Sequence, residues 1–258
     1  MLLCSDFDGT LRDPHDKTVL KRNLIAIHRW RNAKHRFAIV TGRSFSVLKQ
    51  KLPNWDTVVD YVISDNGGAI YCNDGNLLYM ASFDRAIMQE VVNLATNQTV
   101  PALPVYYGPS RNAMTTDVFT PKGIIKLRLY CDSLESMWSH QTQIDQKGWP
   151  VKTLPWPRYG YSPLPNGEPP ERYPAFLDVV PATSGKELTI AKLIELENAN
   201  AGGQLEPVIT IGDDYNDLAM LTQYQGYLLS TAAPEVKATY DGPTIDTVAQ
   251  LVSQLLKP

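Results

Sequence analysis

The chain has 258 residues, of which 43% are hydrophobic and 20% charged, so it can bury one substantial core or two modest ones. Its formal net charge is −3, and the charge as a whole therefore does not favour binding to a nucleic acid or to an anionic membrane. We expect a small-molecule partner, no nucleic acid and no membrane, and a chain that is a monomer or a weak homodimer.

The three cysteines indicate the compartment. Cys4, Cys72 and Cys131 lie far apart and form no CxxC pair, which indicates neither a disulfide framework nor a zinc site. No charged segment precedes a long apolar stretch, and no segment approaches the ~20 apolar residues that a membrane span needs. These features predict a reduced, cytoplasmic setting.

Strands and helices alternate at both ends of the sequence. We predict strands over residues 2–5, 36–43, 60–64, 207–212 and 226–230, and helices over 18–30, 46–52, 184–196 and 246–256. Ser184 and Glu187 fit a capping box for the third of these helices. Because the strands are almost continuously apolar, they predict an α/β fold with a parallel sheet covered on both faces.

A different pattern occupies residues 69–180. Two apolar stretches flank Asn73-Asp74-Gly75-Asn76, which is a β-hairpin signal. Further helices are predicted over 84–96 and 133–146, and further strands over 105–108, 124–131, 151–154 and 175–180. The Pro-rich segment 155–174 is incompatible with regular structure. We therefore predict an inserted antiparallel α+β unit over 69–180, and a core built from residues 1–68 and 181–258.

Polar side chains follow the predicted parallel strands. They are Asp6 and Asp8, Thr41, Lys186, and Asp213 with Asp217. In open α/β sheets the ligand site lies beyond the carboxyl ends of the strands, so these groups are expected to converge. Carboxylate oxygens suit Mg²⁺, while a hydroxyl, the Gly42 backbone and a lysine near a helix start suit a phosphate. Together they predict a phosphoryl-transfer site.

Four ordered motifs resemble those of the haloacid dehalogenase (HAD) superfamily of phosphatases: DFDGT (6–10), IVTGR (39–43), Lys186 and IGDDYNDLAML (211–221). SDNGGAIY (64–71), SGKELTIAKL (184–193) and APEVKATYDG (233–242) are similar to its Cof-like subgroup, which is related to sucrose-phosphatase. The resemblance covers roughly residues 1–70 and 180–258. It implies a Rossmann-like parallel-sheet core with a large α+β cap inserted between the second and third motifs.

The resemblance also implies roles for individual residues. Asp6 corresponds to the nucleophile that forms an aspartyl-phosphate, and Asp8 to the general acid that then serves as the base. Mg²⁺ would be held by the Asp6 carboxylate, the Asp8 backbone carbonyl and Asp213, with Asp217 acting through water. The transferring phosphoryl oxygens would be bound by Thr41, Lys186 and the Asn216 amide. Arg43 either clamps an anionic substrate or forms a surface ion pair.

The function that we expect is an Mg²⁺-dependent phosphatase acting on a small phosphorylated metabolite, with sugar phosphates the leading class. A phosphomutase of the same subgroup is the nearest alternative, and it needs a second basic cluster. The predicted cap offers Arg111, Lys122, Lys126 and Arg128, whose spacing specifies nothing. A receiver-like signalling module is less favoured, because the inserted block of about 110 residues and the second aspartate of DFD argue against it.

Some residues of the predicted cap allow two interpretations. Asp178 either presents a polar group to the substrate or is a strand-edge residue. Four aromatic residues either line a wall for a sugar or pack in the cap core: Trp149, Trp156, Tyr159 and Tyr161.

Overall fold

The computed structural model describes residues 1–108, 123–156, 173–201 and 207–257. The strands are β1 (Leu2–Ser5), β2 (Arg36–Val40), β3 (Tyr61–Ser64), β4 (Ala69–Cys72), β5 (Leu77–Met80), β6 (Leu103–Tyr107), β7 (Lys126–Cys131), β8 (Val151–Trp156), β9 (Ala175–Pro181), β10 (Val208–Gly212), β11 (Gln225–Leu229) and β12 (Thr244–Ile245). The helices are α1 (Lys17–Asn32), α2 (Phe45–Lys51), α3 (Trp55–Val58), α4 (Arg85–Thr96), α5 (Leu134–Asp145), α6 (Lys186–Ala201), α7 (Leu218–Gln223), α8 (Pro234–Lys237) and α9 (Val248–Leu255).

The chain divides into two compact units. The larger contains Met1–Tyr79 and Gly185–Pro258, and the smaller contains Met80–Ser184. The smaller unit is therefore an insertion in the sequence of the larger one.

An eight-stranded sheet forms the centre of the larger unit, in the order β12-β11-β10-β1-β2-β3-β4-β5. The strands from β12 to β3 pair in parallel, as the apolar runs predict. Both faces are covered. Ile39 and Ile211 belong to a buried cluster with Trp30 of α1, while Val40 and Ile63 belong to a second cluster with residues of α6. The predicted α/β class with a parallel core sheet is confirmed.

The hairpin over residues 69–80 lies in this sheet and not in the inserted unit. β4 pairs antiparallel with β3, with Ile70 opposite Ile63, and β5 lies next to β4 at the edge of the sheet. The predicted boundary at residue 69 is therefore wrong, because the chain turns back directly beside β3 and buries Ala69 and Ile70 in the core. The inserted unit begins at Met80, and the chain returns to the larger unit at Gly185 instead of residue 181.

The smaller unit is an α+β structure. Its four strands have the order β6-β7-β9-β8, and every pairing is antiparallel. Leu127 and Val179 pack with Met88 of α4 and Met137 of α5 in one buried cluster. The predicted class of the inserted unit is confirmed.

Two local expectations need correction. β8 runs through Pro155 to Trp156, two residues that we assigned to the irregular Pro-rich segment; residues 157–172 of that segment lie outside the described chain. Helix α6 begins at Lys186, and the buried Ser184 hydroxyl has no hydrogen-bond partner in the described chain. Ser184 therefore does not cap the helix, because the helix begins two residues after it.

Two of the ambiguous residues of the inserted unit form an ion pair with each other. Asp178 lies on the central strand β9, so it is not at a strand edge, and it accepts hydrogen bonds from Arg128 at 2.6 and 2.8 Å. The Arg128 guanidinium also lies 3.7 Å from the centre of the Phe176 ring, so its charge is compensated locally. Trp149 packs against the buried cluster, and Trp156 is 41% exposed. Arg111, Lys122, Tyr159 and Tyr161 lie outside the described residues.

Candidate active site

Two adjacent parallel strands position the central aspartates. β1 ends at Ser5 and β10 ends at Gly212, so Asp6 and Asp213 follow adjacent strands whose last residues are in register. Asp217 lies at the end of a 3₁₀ turn over Tyr215–Asp217, which Asp214 caps. The carboxyl edge of the sheet therefore gathers residues that are more than 200 positions apart in the sequence.

Lys186 connects these groups. Its Nζ donates to Asp6 Oδ1 at 2.7 Å and to Asp217 Oδ1 at 2.5 Å, and both ion pairs are buried. Asp217 Oδ2 accepts the backbone N–H groups of Asp213 at 3.0 Å and Asp214 at 3.1 Å. Asp217 is thus fixed by charge-assisted hydrogen bonds from both sides and in turn orients Lys186 toward Asp6.

The residues of this cluster suit a divalent cation. One carboxylate oxygen from each of Asp6, Asp213 and Asp217 lies within 4.8 Å of the others. Burial raises the pKa of Asp6 to about 8, and although Lys186 opposes this effect, the neighbouring carboxylates add to it. Burial also raises the pKa of Asp213 to about 6 against a hydrogen bond from Thr10. Three carboxylates face one ammonium, so a hard cation with oxygen ligands would relieve their repulsion.

Asp8 is held by two arginines. Its carboxylate accepts hydrogen bonds from Arg12 Nη1 at 2.9 Å and from Arg43 Nη2 at 3.0 Å, and the Nε of Arg43 also donates to it. All three side chains are partly exposed. Arg43 thus forms an ion pair with Asp8, and its role as a clamp for an anionic substrate stays a prediction. The described acidic cluster contains the Asp6 carboxylate but not that of Asp8.

The remaining candidate residues, Thr41, Gly42 and Asn216, lie around Asn66. Thr41 follows β2, and its hydroxyl accepts the Arg43 N–H at 3.1 Å. Asn66 donates its N–H to the Thr41 carbonyl at 3.0 Å, and its side chain accepts from the Asn216 amide at 3.4 Å. Asn66 has a φ of 54°, in the left-handed region, and a Cβ on Gly42 would come within 2.9 Å of its side-chain oxygen. The absence of a side chain at Gly42 therefore leaves room for Asn66, which contacts both Thr41 and Asn216.

Sequence reasoning missed three of these contacts. Thr10 donates to the Asp213 carboxylate, Arg12 binds Asp8, and Asn66 connects Thr41 with Asn216. Thr10 lies within DFDGT and Asn66 within SDNGGAIY, so both could have been found there, whereas nothing in the local pattern distinguishes Arg12 from other loop residues.

A family model for haloacid dehalogenase-like hydrolases matches residues 3–130 and 171–250. The chain belongs to this family, and the resemblance to the Cof-like HAD subgroup is confirmed. An uncharacterized protein of Mycoplasma capricolum is 33% identical over 95 residues, which are 35% of this chain and 36% of that protein. The match thus spans about a third of that relative's length.

Several solved structures share the fold over almost the whole chain. A haloacid dehalogenase-like hydrolase from B. subtilis matches with a TM-score of 0.72 and 14% identity, covering 99% of each chain. A haloacid dehalogenase-like hydrolase from Bacteroides thetaiotaomicron matches with a TM-score of 0.70 and 21% identity, and the match also covers 99% of each chain. The HAD subclass IIB sugar phosphatase BT4131 matches with a TM-score of 0.68 and 18% identity, and the match covers 98% of each chain.

Proposed function

We propose that the protein is an Mg²⁺-dependent phosphatase that hydrolyses a small phosphorylated metabolite, preferably a sugar phosphate, through an aspartyl-phosphate on Asp6. The observation that carries the proposal is the Asp6 carboxylate, held by Lys186 beside Asp213 and Asp217 at the carboxyl edge of the sheet. Membership of the HAD-like hydrolases supports the reaction class, and a sugar phosphatase among the similar folds supports the substrate class.

In the first half-reaction Asp6 attacks phosphorus. Lys186 engages Oδ1, so we assign the attack to Oδ2; the Oδ2–P bond forms as the ester P–O bond breaks. The Lys186 ammonium, the Thr41 hydroxyl and the Asn216 amide are the donors that we assign to the phosphoryl oxygens. When bound by Asp6, Asp213 and the Asp8 carbonyl, Mg²⁺ would supply positive charge that offsets the repulsion between carboxylate and phosphate.

In both half-reactions Asp8 transfers a proton. Asp8 enters the cycle as the neutral acid and gives its proton to the departing alkoxide oxygen; the carboxylate that this leaves then takes a proton from the water that attacks the phosphorus, which restores the acid. This attack breaks the Oδ2–P bond, releases inorganic phosphate and restores the Asp6 carboxylate. Arg12 and Arg43 orient the Asp8 carboxylate for these transfers through their three hydrogen bonds.

The test separates the two aspartates. With p-nitrophenyl phosphate, Asp6→Asn should abolish both p-nitrophenolate release and covalent labelling, because the nucleophile is lost. Asp8→Asn should still become phosphorylated, since p-nitrophenolate leaves without protonation, but it should turn over slowly. The matched control is Asp214→Asn, an exposed neighbour whose N-cap role asparagine retains, and it should stay active.

Two results would contradict the proposal: turnover by Asp6→Asn equal to that of Asp214→Asn, or full activity after removal of divalent cations. Release of inorganic phosphate without a bisphosphate activator separates a phosphatase from a phosphomutase. A receiver-like module would be phosphorylated without multiple turnovers.

We also propose a cytoplasmic protein that is a monomer or a weak homodimer and binds neither nucleic acid nor membrane. The free thiols of Cys4, Cys72 and Cys131 support a reducing compartment. In the described part of the chain no helix combines the length and the apolar character needed to span a bilayer.

A further inference from the structure

Positive charge is concentrated in one segment of this acidic chain. Residues 17–55 contain ten lysines and arginines and no aspartate or glutamate, although the whole chain has a net charge of −3. The segment runs from the start of α1 through β2 to the start of α3. Such an asymmetry indicates that the local field, unlike the overall charge, attracts anions.

A cavity of about 450 Å³ lies where α1 ends and β2 begins. Its lining includes Arg31, Lys34, His35, Arg36, Thr57 and Asp60. Among these lining residues Asp60 is the one carboxylate, whereas three side chains carry permanent positive charge. The cavity therefore has an excess of cations in a space large enough for a small ligand.

Asp60 orients both arginines of the cavity. It accepts hydrogen bonds from Arg31 Nε at 3.1 Å and Nη2 at 3.2 Å, from Arg36 Nη1 at 3.1 Å and from the Phe37 N–H at 2.8 Å. Arg31 also donates to the Thr57 carbonyl at 2.5 Å. One buried carboxylate thus holds two guanidiniums in place, while Arg36 stays 52% exposed at the cavity.

We propose that this cavity is an anion site that binds a phosphate group, either free phosphate or the phosphoryl group of a small metabolite. Within the described residues Asp60 engages the Arg36 guanidinium through Nη1, and the other two nitrogens match the two-point geometry of phosphate oxygens, while Lys34 adds a further charge. The site is distinct from the candidate active site: Arg36 begins β2, whereas Thr41 follows the other end of the same strand, about 17 Å away at the usual rise per residue.

The structure supplies a local reporter of binding. The Trp30 indole N–H donates to the Arg36 carbonyl at 2.8 Å, and the ring centres of Trp30 and His35 are 4.4 Å apart. Burial lowers the pKa of His35, and a phosphate bound beside it should raise that pKa. The NMR signals of the Trp30 indole and the His35 ring therefore report this site separately from phosphate bound near Asp6.

The experiment titrates the ¹⁵N-labelled full chain, in metal-free buffer at constant ionic strength, with inorganic phosphate and in parallel with a sugar phosphate. We expect a saturable shift of the Trp30 indole signal. Arg36→Gln should weaken binding about tenfold, the usual effect of losing a charge-assisted hydrogen bond. Lys34→Gln, which does not contact Asp60, should weaken it several-fold. The matched control is Arg29→Gln, which removes the same charge from the exposed face of α1 outside the cavity lining.

Tighter binding of the sugar phosphate would assign the site to a metabolite, and equal or tighter binding of inorganic phosphate would assign it to the free ion. Both results support the site. A shift that does not saturate, or equal weakening by Arg29→Gln and Arg36→Gln, would overturn the proposal, because either shows attraction by the general field alone.

Discussion

Replacing Lys186 by methionine tests the charge balance on which the candidate site depends. Methionine has a similar length and keeps the packing, but it leaves Asp6 and Asp217 buried without their ammonium partner. Removing one partner of a buried ion pair costs about 3–5 kcal/mol of stability. Here one cation serves two carboxylates, so we expect the variant to lie at the upper end of that range above pH 8, where Asp6 is ionised in the natural protein.

The pH dependence of this loss has a definite sign. The pKa of Asp6 in the folded protein is already above its ordinary value of 3.8, at about 8. The folded state therefore binds the proton more tightly than the unfolded state, and stability falls as the pH rises from about 4 toward 8. Loss of Lys186 raises this pKa further. The difference between the variant and the natural protein should therefore be small near pH 4 and largest above pH 8.

The measurement is urea-induced unfolding followed by circular dichroism at several pH values. The control, Lys192→Met, makes the same substitution on the same helix, where the lysine forms a 2.9 Å pair with the exposed Glu195. That pair is worth about 0.2–0.5 kcal/mol, so this variant should unfold almost as the natural protein does. Equal stability of the two variants above pH 8 would refute the argument that Lys186 compensates the buried carboxylates.

Three further predictions concern other parts of the structure. Gly212→Ala should lower both the melting temperature and phosphate release, because the added Cβ would clash with the Asp217 carboxylate; a fully active variant would contradict this. Saturating Mg²⁺ should stabilise the protein by about 2–3 kcal/mol at a hundredfold excess over its Kd, measured by thermal unfolding, and Asp213→Asn should remove most of the effect. Burial lowers the pKa of His140 below its ordinary value of 6.5, so the unfolded state binds its proton more readily and stability is lost as the pH falls below about 6.5. His140→Gln should reduce this loss, measured by urea-induced unfolding at several pH values, and an unchanged pH profile would contradict the argument.

Much of the fold could be predicted because strands buried on both faces leave a strong signal. Residues 36–40 and 208–212 are almost entirely apolar, and the structure has a strand at each. The hairpin at 69–80 shows the limit of such reasoning. Its turn residues predict a hairpin from local conformational preferences, but the sheet that it joins depends on the pairing of Ile70 with Ile63. That pairing forms an earlier hairpin with its own local signal, Asn66-Gly67 between β3 and β4, and our prediction used only the later turn.

The candidate site divides in the same way. Asp6, Lys186, Asp213 and Asp217 could be named because the ends of parallel strands and the start of a helix place them at one edge. Arg12 could not, because its position depends on a loop conformation that the sequence pattern does not specify. Asn66 lies within SDNGGAIY, but the motif does not state which side chain it contacts. Asn66 adopts a left-handed conformation, and only this turn brings its side chain within reach of Asn216.

Several features of the candidate site are unfavourable when each is considered alone. The packed apolar sheet beside the site holds them in place. Asp65 and Asn66 both have positive φ, and three carboxylates surround one buried ammonium. The buried clusters on the two faces of the sheet hold the strand ends in register and so impose these positions. It follows that conservative changes at the site should affect its charge balance more than its backbone. Removing the charge of Lys186 should therefore change stability in a pH-dependent manner, whereas enlarging a core residue should change it equally at every pH.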